Sequence, residues 1–219
     1  MAHTKLAILW DMDGTIIDTK ACHFSTWRDV LEEHGFCLDQ DVLDVNFGRN
    51  TRTILPLFLG FDPDPTLMEQ LIKEKEVRFR EVAPLEATLI PGVESWLGTA
   101  QTQGIPQAIA SSGSRSNIET MMSSFNLCHY FTEIVSGADL PAKPQPDVFL
   151  KAADLLGQPP ERCLVIEDSL PGVKAAKNAG MTCIAVTTTL PRSELTLADR
   201  VVDDFSSPIM DVLAELKLV

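Results

Sequence analysis

Basic residues are scarce in this chain. Its 219 residues hold 18 Lys and Arg against 31 Asp and Glu, a formal net charge of −13. So acidic a chain repels polyanions, which argues against nucleic acid and anionic membrane as partners. An anionic small molecule needs local help to bind, from a metal or a few placed cations. No apolar run is long enough to span a membrane, and the N-terminal one is too short for a signal peptide. The five cysteines (Cys22, Cys37, Cys128, Cys163 and Cys183) show no CxxC spacing, and Cys163 and Cys183 open apolar runs as core residues do. An odd, unpatterned set fits the reducing cytoplasm. There is no internal repeat and no low-complexity tract. Hydrophobic content of 45% and charged content of 22% are ordinary for a globular protein. The length allows one large domain, or one domain with a smaller unit inserted.

What is present is concentrated at the start. The apolar run Leu6-Ala7-Ile8-Leu9-Trp10 is followed by Asp11-Met12-Asp13-Gly14-Thr15. A short apolar run stopped by glycine reads as an interior strand. Residues two apart share a side, so Asp11 and Asp13 are expected to repel each other at the mouth of a buried sheet. They stay ionised at modest cost only with a cation between them, and hard oxygen ligands suit Mg²⁺.

Further short apolar runs cover Gln107 to Ser111, Cys163 to Glu167 and Cys183 to Thr187, with helical patterns between them. That alternation predicts an α/β fold with a doubly wound parallel sheet. Ser116 with Glu119 reads as a capping box, Ser169 before Pro171 opens a helix closed by Gly180, and an amphipathic stretch from Asp147 to Leu156 ends at Gly157. Ser111, Lys143 and Asp168 are separated by 32 and 25 residues, close to one β-α repeat of roughly 30. Asp11 to Ser111 spans 100 residues, leaving about two repeats of extra chain. The excess, residues 15–84, has helical patterns and no convincing strand. One helix is expected over 20–34, stopping at Gly35. Another is expected from Thr66, boxed by Glu69, to about Val82, with Pro84 and Pro91 marking the return. The expected organisation is a core of 1–14 and 85–219 with an inserted all-α cap domain at 15–84.

In an open parallel sheet, ligands bind beyond the carboxyl ends of the strands. The Asp11/Asp13 pair, Ser111, Lys143 and Glu167-Asp168 all fall there. Singly, each has an ordinary explanation: a turn former, a serine-rich turn, a solvated loop lysine, a helix cap. Their recurrence at β-α spacing outweighs the separate explanations.

The residues Asp11-Met12-Asp13-Gly14-Thr15-Ile16-Ile17-Asp18, Ala110-Ser111-Ser112, Lys143-Pro144-Gln145-Pro146-Asp147 and Val165-Ile166-Glu167-Asp168-Ser169, with the run Gly172 to Met181, resemble the haloacid dehalogenase superfamily. The resemblance is to its β-phosphoglucomutase-like subgroup, with a Rossmann-like core and inserted helical cap, and covers essentially the whole chain. Ala142 departs from it, since the family usually has glycine before the lysine. The resemblance implies a Mg²⁺-dependent phosphatase acting on a small phosphorylated metabolite, a sugar phosphate, with a phosphomutase as the alternative. It implies Asp11 as nucleophile and Asp13 as general acid and base, with Asp13 meeting the metal through its backbone carbonyl. Asp168 completes the metal site and Glu167 supports it. Ser111 bonds the phosphoryl oxygens, with Ser112 beside it, and Lys143 neutralises charge. A monomer or weak dimer is expected.

Substrate choice is expected to lie in the cap. His23 and Trp27 share a helical face, matching the subgroup's His and Trp. Lys75 interrupts the apolar stripe Leu67, Leu71, Phe79, so it either snorkels to solvent or points into the cleft. By resemblance, Lys75 and His23 couple cap closure to Asp13. Arg49 and Arg52 are candidates for a second phosphate or a carboxylate, and a solvated face is equally open for either. Dehalogenases and phosphonate-cleaving members depart from the second aspartate, so Asp13 argues against both. A phospho-acceptor module needs no cap and places its acceptor later in the chain.

Overall fold

The computed structural model describes residues 6–46 and 50–218. The first apolar run forms β1 (Ala7–Trp10), buried along its whole length. After the turn at Asp11–Gly14 come β2 (Ile17–Asp18) and four helices, α1 (Lys20–Glu33), α2 (Gln40–Asn46), α3 (Thr51–Leu59) and α4 (Pro65–Glu86). The strand β3 (Thr88–Leu89) and helix α5 (Val93–Thr102) lead to β4 (Gln107–Ser111), α6 (Arg115–Ser124) and β5 (Glu133–Ser136). Then follow α7 (Asp147–Leu155), β6 (Cys163–Glu167), α8 (Leu170–Asn178), β7 (Thr182–Val186), β8 (Arg200–Val202) and α9 (Ile209–Glu215).

Six strands form one parallel sheet in the order β5-β4-β1-β6-β7-β8. The chain steps to one side of β1 for β4 and β5, then returns to the other side for β6. The carboxyl ends of β4, β1 and β6 therefore border the switch-point crevice, where α/β sheets bind ligands. Side chains alternate across the sheet and build two cores. Ile8, Trp10, Ile109 and Ile166 pack on one face with Trp96 and Met121. Leu9, Ala108 and Val165 pack on the other with Phe149 and Val173. The four inserted helices bury an apolar cluster of their own, including Trp27, Leu31, Leu55, Phe58 and Leu71. No helix among the described residues is long and apolar enough to cross a membrane.

Several local expectations are corrected. The stretch expected to lack strands contains β2, which pairs antiparallel with β3, two residues against two. Pairs this short carry no periodicity to read. Helix α4 does not stop near Val82 but runs through Pro84 to Glu86. Its N-cap is Asp64, whose carboxylate accepts from the Thr66 and Leu67 amides, with Pro65 in the first turn where its missing N–H costs nothing. Glu69 is instead drawn to Arg52. Likewise Ser114, not Ser116, caps α6, and Glu119 pairs with Arg115 at 2.7 Å. Ser169 caps α8 as expected, accepting from the Gly172 amide at 3.2 Å.

Candidate active site

Asp11 follows β1, its amide bonded to the Ile166 carbonyl, so its carboxylate is fixed where β1 and β6 end. Gly14 then turns the chain with φ +81°. A Cβ there would lie 2.2 Å from Asp168 Oδ2, so glycine is required for two reasons. Lys143 arrives from the loop before α7. Its Nζ donates to Asp11 Oδ1 at 2.5 Å and Glu167 Oε1 at 2.8 Å, and lies 4.8 Å from the centre of the Phe149 ring. Glu167 Oε2 accepts from the Asp168 amide, the Ser169 amide and the Ser169 hydroxyl. This carboxylate is therefore saturated with donors and acts as the fixed post for Lys143.

Gly172 makes room for that post, since a Cβ on it would stand 1.6 Å from Glu167 Oε1. Replacing Gly172 by Ala must push Glu167 off its buried donors. We expect a loss of about 3 kcal/mol or more, seen as a melting temperature lower by about 6 °C or more. An unchanged melt would mean that Glu167 is not held as described.

Asp11, Glu167 and Asp168 bring one carboxylate oxygen each within 4.8 Å of one another, all buried. Three carboxylates against one ammonium leave two negative charges in a dry place. Burial pushes the Asp11 carboxyl up to about 7, against the pull of Lys143. Burial, with Glu167 and Asp11 beside it, raises Asp168 well above the usual range. Burial alone would lower Lys143, but Asp11 and Glu167 outweigh it and raise it. Asp168 Oδ1 accepts from Thr15 at 3.1 Å, whereas Oδ2 is buried with no hydrogen-bond partner among the described residues. An orphaned carboxylate oxygen within an all-oxygen acidic cluster fits a hard divalent cation.

Asp13 faces the other way. Its Oδ1 accepts from the Thr19 hydroxyl at 2.7 Å and lies 3.4 Å from His23 Nε2, so its carboxylate does not join the metal-sized cluster. The two carboxylates expected to share one cation thus have separate partners, because the chain turns between them. Burial would raise Asp13, but the bonds from His23 and Thr19 prevail and hold it below the usual range. Burial and Lys75 lower His23.

One cavity joins these groups. Asp11, Asp13, Ser111, Ser112 and Gly113 line it from the sheet, and His23, Trp27, Ile54, Lys75, Glu76 and Phe79 line it from the inserted helices. Of the two options for Lys75, the cleft is the one taken: it is buried, 4.7 Å from the Phe79 ring centre and 3.2 Å from Glu76 Oε1. Ser111 Oγ, at the end of β4, accepts from the Gly113 amide at 3.0 Å, which ties the turn that follows the strand. Arg52 does not line this cavity: its guanidinium is turned outward to Glu69. Arg49 lies outside the described residues.

Glu76 and Asn50 are among the residues that sequence reasoning missed. Glu76 sits beside Lys75 and accepts from Ser114 Oγ at 2.7 Å, a bond between α4 and the N-cap of α6. Asn50 donates to the Gly137 and Ala138 carbonyls at 3.2 and 3.0 Å while capping α3. An Asn before a helix was readable as a cap. Its second partners, 87 and 88 residues away, carried no signal.

Residues 8–186 match the model of the haloacid dehalogenase-like hydrolases, and the chain belongs to that family. It is similar to the fructose-1-phosphate phosphatase YqaB of Escherichia coli, 31% identical over 185 residues, covering 82% of this chain and 95% of that one. It is also similar to the β-phosphoglucomutase of Bacillus subtilis, 29% identical over 219 residues, covering 95% and 94%. The crystal structure of CbbY from Rhodobacter sphaeroides in complex with phosphate superposes with a TM-score of 0.83 at 30% identity, over 93% of this chain and 96% of that one. The chain is thus an enzyme of the phosphatase and phosphomutase type, in the β-phosphoglucomutase-like subgroup.

Proposed function

We propose that the enzyme is a Mg²⁺-dependent phosphatase acting on a small sugar phosphate through an aspartyl-phosphate intermediate. The observation that carries this reading is the division of labour in one cavity. Asp11 is bound to Lys143 beside an acidic cluster, while Asp13 is held apart by Thr19 and His23. In the first step an Asp11 oxygen attacks phosphorus and the bond to the leaving oxygen breaks, that oxygen taking a proton from Asp13, which takes the proton up when the negative charge of the incoming phosphate favours its neutral form. In the second, Asp13 takes a proton from water, which attacks phosphorus and releases inorganic phosphate from Asp11. Lys143 aims Asp11 and offsets its charge, and Ser111 with the amides after it holds the phosphoryl oxygens. Asp11 and Asp168, with the Asp13 carbonyl, would hold Mg²⁺, which when bound neutralises charge developing on those oxygens.

The two-stranded ribbon β2–β3 borders the inserted helices, and we assign residues 15–84 as a cap. The cavity beneath it is about 50 Å³, room for a few waters. A sugar phosphate therefore enters only when the cap lifts, and closure then keeps bulk water from the reaction.

A broad panel of phosphorylated metabolites, assayed for released phosphate with Mg²⁺ or with EDTA, tests the reading. Sugar phosphates are expected to lead, and EDTA to remove at least about 99% of the rate, the scale of a lost electrostatic contribution in a dry site. Undiminished turnover in excess chelator overturns the metal role. Isomerised sugar phosphate without free phosphate, in the presence of a bisphosphate primer, shifts the assignment to a phosphomutase.

A further inference from the structure

The cap side of the cavity carries charges that the proposed chemistry does not use. Glu76 is among the cavity-lining residues and is largely buried, yet both its oxygens are held: Oε1 lies 3.2 Å from Lys75 Nζ, and Oε2 accepts from Ser114 Oγ at 2.7 Å. Burial opposes its ionisation, but Lys75 and Ser114 prevail and keep it charged. Lys75 is thereby neutralised in place, boxed by the rings of Phe79 and Trp27 at 4.7 and 5.7 Å. The nearby Arg80 is turned to Asn117 Oδ1 at 2.9 Å and does not line the cavity. Among the described residues, then, the cap side of the cavity sets one carboxylate, Glu76, against one ammonium, Lys75. A second phosphate there would find the ammonium already paired and would meet the Glu76 carboxylate in a dry cavity, where like charges repel strongly. A sugar hydroxyl would meet a carboxylate with lone pairs to spare, because each oxygen can accept twice.

We infer that Glu76 sets substrate class: it rejects a second anionic group and accepts a hydroxyl, restricting the enzyme to monophosphates of neutral, hydroxyl-bearing sugars. This rests on the phosphatase reading above and deepens it. A phosphomutase must turn a bisphosphate over inside its cavity, so the same carboxylate opposes that alternative. Specificity of this kind comes as much from repulsion as from attraction.

The test compares matched pairs: fructose 1-phosphate with fructose 1,6-bisphosphate, glucose 1-phosphate with glucose 1,6-bisphosphate, and ribulose 5-phosphate with ribulose 1,5-bisphosphate. For wild type, kcat/KM for the preferred monophosphate is expected to exceed that for its bisphosphate by at least about tenfold. In Glu76→Gln the ratio is expected to fall at least about fivefold, chiefly through better use of the bisphosphate, while Glu76→Asp keeps most of it. A wild-type ratio near one, or a ratio unmoved in a folded Glu76→Gln, overturns the inference. Should Glu76→Gln fail to fold, Glu76→Ala is read by the same ratio in its place, and a wild-type ratio near one overturns the inference without any variant. Turnover of other phosphomonoesters but no sugar monophosphate overturns the inference and leaves the phosphatase standing. No turnover of any phosphomonoester overturns both.

Discussion

Asp11→Asn is expected to leave a folded protein whose phosphate release is slower by at least about a thousandfold. The amide has the shape of the carboxylate but neither its charge nor its nucleophilicity, so the phosphoryl group has no acceptor. Activity loss by itself does not separate chemistry from folding, and the local electrostatics supply the separation. Asp11 lies with Glu167 and Asp168 in one acidic cluster, and burial already pushes its carboxyl up to about 7. Removing one of three crowded carboxylates relieves repulsion, while Lys143 keeps its bond to Glu167. The melting temperature of Asp11→Asn in EDTA is therefore expected to equal or exceed that of wild type. Active sites commonly hold such locally unfavourable charge at a cost in stability. A variant that melts far below the parent would show Asp11 to be structural, and one that turns over normally would remove it as the nucleophile.

The parts of this site that were legible in sequence are those set by strand ends. Ser111, Glu167 and Asp168 stand at the carboxyl ends of β4 and β6, and uninterrupted buried runs announce those strands. Their convergence then follows from parallel topology alone. The edge strands β5 and β8 were not visible, because they are short and only partly buried, so their patterns lack the apolar run. Asp13 was found, and His23 was linked to it by resemblance, but its partner Thr19 was not: Thr19 lies on the far side of a turn whose direction is set by Gly14 and the β2–β3 pairing. Cap choices failed where two candidates competed within a few residues, as with Asp64 against Thr66, and the backbone geometry of the first turn decided them. Glu76 was passed over for a physical reason. A glutamate on an amphipathic helix belongs by default to the solvated face, and only the packing of α4 against α6 turns it inward.

Lys143→Ala is expected to damage stability and catalysis together, in contrast to Asp11→Asn. The ammonium, 1% exposed, is the cation that bridges two buried carboxylates, Asp11 and Glu167. Deleting it leaves those charges without their partner, and breaking a buried pair from one side costs about 3–5 kcal/mol. In a chain of this size that lowers the melting temperature by roughly 6–20 °C. Turnover falls as well, by at least about a hundredfold, because Asp11 loses its orienting bond and the transferring group loses a neighbouring positive charge. The substitution also makes the cluster more negative, and a divalent cation then has more charge to offset. Mg²⁺ is accordingly expected to raise the melting temperature of Lys143→Ala more than that of wild type, by mass action on the folded state. Were the variant to melt like the parent, the Asp11–Lys143–Glu167 bridge would not hold this end of the sheet together. Were Mg²⁺ to stabilise neither protein, Asp11 and Asp168 would not form a metal site.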